Sequence, residues 1–221
     1  MLAPRTAMTP PAVGLERFAA LWRRRVASPP SPDAAAVHGE LCAHYAESFR
    51  RYHNLEHIEE CLRRADEVAP LLDDPDAVEF ALWFHDVVYE VGASTNEWKS
   101  AELFLERASG AAPVFRRKVC GLVLATRHGG CVQGNDRRFI VDIDLSGIGA
   151  PWSEFVRNGE RLRAESCALS DAQYTAGQRR FLRKLHERPQ LYLTDYFRDR
   201  YENKARENIA RALAELPGDM A

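Results

Sequence analysis

The stretch Val78-Glu79-Phe80-Ala81-Leu82-Trp83-Phe84-His85-Asp86-Val87-Val88-Tyr89 spaces apolar side chains at Val78, Phe80, Ala81, Phe84 and Val88. This is the three-and-four spacing of a helix buried over much of its circumference. An adjacent His and Asp stand inside that run, and ionisable groups taken out of water need a partner strong enough to offset desolvation. A salt bridge between Asp86 and His85, or an Arg from another helix, is one such partner. A divalent metal is another. Neighbours on a helix diverge by about 100°, so a metal shared by His85 and Asp86 requires a helix end or kink where both can turn to one point.

Upstream lies Arg51-Tyr52-His53-Asn54-Leu55-Glu56-His57. Asn54 is a favoured N-cap, so a helix is expected to start at Leu55, with His57 in its first turn and His53 just outside it. The two imidazoles then face one cleft. Taken alone, His57 reads equally well as a satisfied core residue. Downstream, Phe139-Ile140-Val141-Asp142-Ile143-Asp144-Leu145 sets two carboxylates in an apolar run. Two His and two Asp suit Mn, Fe, Co, Ni, Zn or Mg better than a soft-metal site.

The remaining chain repeats the helical spacing, at Leu15, Phe18, Leu21 and Trp22, from Ala34, at Ile58, Cys61, Leu62, Ala65 and Val68, and over 96–108, 113–127, 151–165, 171–187 and 199–215. The segment 139–145 is the most strand-like, but it is short and isolated. An all-α, compact helical bundle is the expectation. Residues 1–12, rich in Pro, Ala and Thr, read as a flexible tail, and 13–217 as one domain, since 221 residues with 46% hydrophobic and 28% charged side chains suit one core. A formal charge of −2 provides no bulk positive field for nucleic acid. Five cysteines without a CxxC pair point away from a disulfide framework and from a thiolate zinc site. No apolar run has the length of a signal sequence or a membrane span, so a soluble, cytoplasmic protein is expected.

These residues together resemble the HD superfamily of metal-dependent phosphohydrolases, whose pattern is H…HD…D on an all-α fold. The likeness runs over residues 35–150, and its most specific part, Tyr52 to His57, is similar to the YHNxxH signature of a bacterial subgroup and of cyclic-nucleotide phosphodiesterases. The purine-clamping C-terminal elaboration of the phosphodiesterases is missing, so the motif does not imply cyclic-nucleotide specificity. The resemblance implies an HD-domain bundle in which His57, His85 and Asp86 hold a metal. Asp144 is favoured as the last ligand, with Asp142 as the alternative. It further implies one or two divalent ions (Mn, Fe, Co, Ni, Zn or Mg), with His53 as proton donor and Asn54 as cap or orienting group. The substrate is then a small phosphate ester, possibly a nucleotide, attacked by a metal-activated water.

Four further readings are weaker. His128 at a helix C-terminus is a capping residue or an extra His facing substrate or a second metal. Arg127 is a phosphate clamp or a solvated Arg. Glu97, within Asn96-Glu97-Trp98-Lys99-Ser100, is a group near the metal or an ordinary acidic first turn. Arg161, Arg163, Glu165 and Glu202 to Arg206 read as solvated faces and ion pairs. Leu191, Tyr192 and Phe197 look exposed and able to support a homodimer. A di-iron oxygenase, if His128 joins the site, and a non-catalytic nucleotide-binding module are the competing functions.

Overall fold

The computed structural model describes residues 14–27 and 29–217; the stretch 1–12 expected to be a tail lies outside the described residues. Ten α-helices carry the described chain: α1 Leu15–Arg25, α2 Ala34–Tyr45, α3 Leu55–Val68, α4 Pro75–Phe84, α5 Asn96–Arg107, α6 Pro113–Val123, α7 Asn135–Asp144, α8 Trp152–Glu165, α9 Asp171–His186 and α10 Asp195–Glu215. Among these residues there is no strand, only an isolated bridge between Val26 and Ala111. The all-α expectation holds.

Helix starts follow local chemistry. Asn54 accepts from the backbone N–H of Glu56 and of His57, so it fixes the first turn of α3. Asp74 caps α4 by accepting from Ala77 N–H, and Pro75 pre-sets the first helical φ. Ser170 and Gln173 form a reciprocal capping box at α9. Thr194 caps α10 by accepting from Phe197 N–H, which starts that helix at Asp195, ahead of the expected 199. The strand-like 139–145 segment is helical, residues 139–144 in α7 and Leu145 at the start of a 3-10 turn, because no neighbouring strand exists among the described residues to satisfy an extended backbone.

Helix α4 is the axis of the fold. Ala77, Val78, Phe80, Ala81, Leu82, Trp83 and Phe84 are all buried, and α1, α3, α5, α6 and α7 pack around it. Burial of each large side chain contributes about 1.5–3 kcal/mol. Phe80 lies in edge contact with Phe104 and Phe115, and Phe84 with Phe104. One set of buried side chains continues from Phe18 to Ile209.

The helix ends at Phe84, and a buried arginine terminates it. Arg50, whose side chain is fully buried, donates to the carbonyls of Asp86 (2.6 Å), Val87 (2.8 Å) and His53 (3.2 Å). A cation placed on carbonyls beyond a helix C-terminus satisfies groups that no helical N–H reaches. It also ties the His53 segment to the His85-Asp86 turn.

Leu191, Tyr192 and Phe197 are not at the surface: all three are fully buried. Tyr192 and Phe197 join a ring cluster with Phe139 and Tyr201. The Tyr192 hydroxyl donates to Leu145 O, and the Glu202 carboxylate accepts from the backbone N–H of Leu191 and Tyr192. These residues therefore give no support to a dimer, and Glu202 holds the turn before α10 rather than a solvated face. No described helix is long and apolar enough to cross a membrane.

Candidate metal centre

Three elements deliver one constellation. The first turn of α3 presents His57, the turn ending α4 presents His85 and Asp86, and the last residue of α7 presents Asp144. His57 Nε2 and His85 Nε2 face each other at 3.4 Å. Asp144 Oδ1 lies 3.3 Å from the first and 3.5 Å from the second. Asp86 Oδ2 is 3.1 Å from His85 Nε2 and 3.7 Å from His57 Nε2. The adjacent His and Asp converge because α4 has already ended.

Donor chemistry fits a cation. Around an ion about 2.0–2.2 Å from each nitrogen or oxygen, neighbouring ligand atoms stand about 2.8–3.6 Å apart, close to the spacing found here. His85 Nδ1 donates to Leu82 O at 2.9 Å, which fixes the tautomer that turns the Nε2 lone pair to the cluster. Burial pushes the Asp86 carboxyl up, but the positive charge His85 and His53 can carry outweighs it and holds Asp86 below the usual carboxylate range. Asp144 is likewise held well below it: burial opposes, and hydrogen bonds from His128, His57 and His85 win. In return, although burial alone would lower His85, Asp86 and Asp144 hold a proton on it far above the ordinary imidazole value. The pocket demands positive charge, which a proton or a metal can supply.

Cys61 adjoins the same atoms. Its sulfur is 3.7 Å from His57 Nε2, and donor atoms of His57, Cys61, His85 and Asp144 all lie within 4.8 Å of one another. The described residues thus contain a buried His/Cys/His/Asp cluster able to chelate one metal ion. The absence of a CxxC pair drew attention away from this thiol. Its signal was the i, i+4 step from His57 along the apolar face of α3. Burial pushes the Cys61 thiol up, and Asp144 and Asp86 add to the effect.

Asp142 and Asp144 are two residues apart on α7 and so point to nearly opposite sides. Asp144 faces the cluster. Asp142 is fully buried elsewhere and accepts from Leu193 N–H (2.8 Å), Thr194 N–H (2.7 Å) and the Thr194 hydroxyl (2.7 Å). Burial, working against those bonds, pushes its carboxyl up to about 6.

His53 stands beside the cluster, stacked on Tyr89 with ring centroids 4.2 Å apart. Its Nδ1 meets Glu165 Oε1 at 2.9 Å. Glu165 Oε2 accepts from the backbone N–H of Tyr52 (2.8 Å), His53 (3.1 Å) and Arg51 (3.3 Å). At 1% exposure, Glu165 is no solvated helix face: the last residue of α8 reaches back to hold the motif loop. Arg161 and Arg163 do form surface ion pairs, with Glu56 and Asp171.

His128 follows a short 3-10 turn over Leu124–Arg127, at φ 52°. Its Nε2 is 2.9 Å from Asp144 Oδ2, and its buried Nδ1 has no partner among the described residues. Glu97 and His128 line the same cavity as His53, Asp86 and Asp144, a volume of about 690 Å³. Arg127 does not line it; its guanidinium is 4.0 Å from Glu97. No protein-family model matches the chain, nor does any curated protein or solved structure.

Proposed function

We propose that the chain is a metal-dependent phosphohydrolase of the HD type, acting on a small phosphate ester. The observation that carries this reading is the meeting of His57 Nε2, His85 Nε2, Asp86 Oδ2 and Asp144 Oδ1, of which Asp86 and Asp144 also line a cavity that presents a carboxylate-backed imidazole, His53. His57, His85, Asp86 and Asp144 would hold the ion, and Cys61 would remain a neutral thiol beside it. A divalent cation there supplies Lewis acidity, acidifying a water and polarising a phosphoryl oxygen.

The chain's own groups supply the rest. His53 gives a proton to the departing alkoxide. Burial would lower the His53 pKa, but Asp86 and the Glu165 hydrogen bond raise it above 6.5. Glu165 orients that ring through Nδ1, and Asn54 sets the α3 turn that aims His57. Asp86, beside both His85 and the cavity, orients the attacking water.

Protein reconstituted with Mn, Fe, Co, Ni, Zn or Mg is expected to hydrolyse a generic phosphomonoester. Absence of turnover by protein of proven metal occupancy would contradict the reading. A di-iron oxygenase stays as second reading because His128 Nε2 lies 2.9 Å from Asp144 Oδ2 with its other nitrogen unpartnered among the described residues. One ion per chain would dispose of it.

A further inference from the structure

Beyond the cluster the cavity runs outward between α8, α9 and the end of α10. Trp152, Phe155, Leu162, Tyr174, Phe181 and Leu216 give that arm most of its surface, and the polar groups beside them, such as Asn158, Gln173 and Gln178, are uncharged or, at Glu160 and Glu215, anionic. Helix α8 buries only Glu165; its Trp152, Phe155 and Leu162 are part-buried, Phe155 packing against the core and stacking on Trp152, and each leaves part of its surface to the arm. The two helices stay joined at their near end, where Arg163 pairs with Asp171 and the Tyr174 hydroxyl donates to Gly159 O. At Gly177, which lines the arm, an added Cβ would meet nothing within 4 Å.

Charge sharpens the argument. Among the described residues no Lys or Arg lines this cavity, whereas Asp86, Asp144, Glu97, Glu160 and Glu215 do; the guanidinium groups of Arg211 and Arg163 lie over the Trp152 and Tyr174 rings. A nucleoside polyphosphate brings several negative charges and is ordinarily held by cationic forks; here it would meet carboxylates. A second opening reaches His57 and Asp144 from the other side and holds Arg64, Arg157 and Arg161. It also holds Glu56, Glu60 and Glu154 and has only about 180 Å³, below the range that encloses organic ligands.

We propose that the arm selects an apolar leaving group, so that the substrate is the phosphate monoester of an alkyl or aromatic alcohol and not a nucleoside polyphosphate. This rests on the phosphohydrolase reading. In the reaction, water forms the new P–O bond, the bond from phosphorus to the alcohol oxygen breaks, the His53 proton goes to that oxygen, and the proton released by the water goes to solvent, from which His53 is reprotonated. The products are inorganic phosphate and an apolar alcohol that the arm already accommodates.

The test uses the full chain with two readouts. Hydrolysis of octyl phosphate, glycerol phosphate, AMP and ATP is followed with metal present, and binding of octanol by calorimetry without metal. Octyl phosphate is expected to exceed AMP and ATP in kcat/KM by more than about tenfold, since several methylenes are buried. Gly177→Leu places a good helix former into the open arm; it is expected to abolish octanol binding and to lower the octyl-to-glycerol phosphate ratio of kcat/KM by about tenfold or more. A preference for ATP or AMP overturns the inference, as does hydrolysis of glycerol phosphate without octanol binding, which leaves the hydrolase reading standing. Octanol binding that Gly177→Leu abolishes, with no phosphate ester hydrolysed under any metal, contradicts the hydrolase reading and upholds the apolar ligand.

Discussion

Glu165 and His53 are joined at 2.9 Å between Oε1 and Nδ1, across more than a hundred residues of chain, while the same carboxylate gathers the backbone N–H groups of Arg51, Tyr52 and His53. His53 and the loop that carries it are therefore held by one side chain. Burial pulls the His53 pKa down, and Asp86 and Glu165 together raise it above 6.5. Activity that needs protonated His53 is lost as pH rises through that raised value. Glu165→Gln is expected to move this alkaline limb to lower pH, which a kcat/KM profile will show.

The same pair has a stability signature. The His53 contribution is fully present below its unfolded value near 6.5 and is lost as pH rises through the raised folded one. Burial would raise Glu165, but hydrogen bonds from His53, Tyr52 and the His53 charge lower it; its contribution is present above 4.5 and lost as pH falls through the lowered folded value. Thermal melts of the parent and Glu165→Gln are expected to differ most between these limits and to converge toward both extremes.

Two residues compete to complete the cluster, and their chemistry separates them. Cys61→Ala is expected to leave metal affinity within about threefold, whereas Asp86→Asn lowers it about 10- to 100-fold or more. Cobalt-loaded parent protein is expected to show no thiolate-to-metal charge-transfer band. Such a band, or loss of metal in Cys61→Ala, would place sulfur in the coordination sphere.

Arg50 holds three carbonyls at the end of α4 and in the motif loop. Arg50→Met leaves them unpaired in the interior, where each such group costs about 1–3 kcal/mol. A loss of about 3 kcal/mol or more in chemical denaturation is expected, together with weaker metal binding, because the His53 and His85-Asp86 segments lose their common anchor.

Phe197, fully buried against Phe139 and Tyr192, is a core residue. Phe197→Ala is expected to cost about 3–5 kcal/mol of stability and to leave the sedimentation behaviour unchanged. A shift in oligomeric state without destabilisation would restore the interface once expected there.

The helical architecture was legible because apolar spacing in α3, α4 and α6 is regular and several caps, notably Asn54, are spelled in the chain. His57, His85, Asp86 and Asp144 stood out because charged side chains sat in apolar runs. Glu165 and Arg50 were hidden because their roles come from contacts distant in sequence, whereas Cys61, four residues after His57 on the apolar face of α3, reads there as an ordinary core residue. A Glu at the end of an amphipathic helix looks the same whether it meets water or three backbone N–H groups of a remote loop. Tyr192 and Phe197 misled because they are covered by a ring cluster that brings Phe139 of α7 against Phe197 and Tyr201 of α10 back over Tyr192.

The proposed cation site joins His57, His85, Asp86 and Asp144. Titration calorimetry with Mn²⁺, run on the metal-free parent and on His85→Ala, tests it most directly, with elemental analysis giving stoichiometry. The account predicts a saturable site in the parent that is lost in His85→Ala. It also predicts a rise in parent stability of about 2.7 kcal/mol at a hundredfold excess over Kd. Equal binding by both proteins, or no binding by the parent, would contradict it.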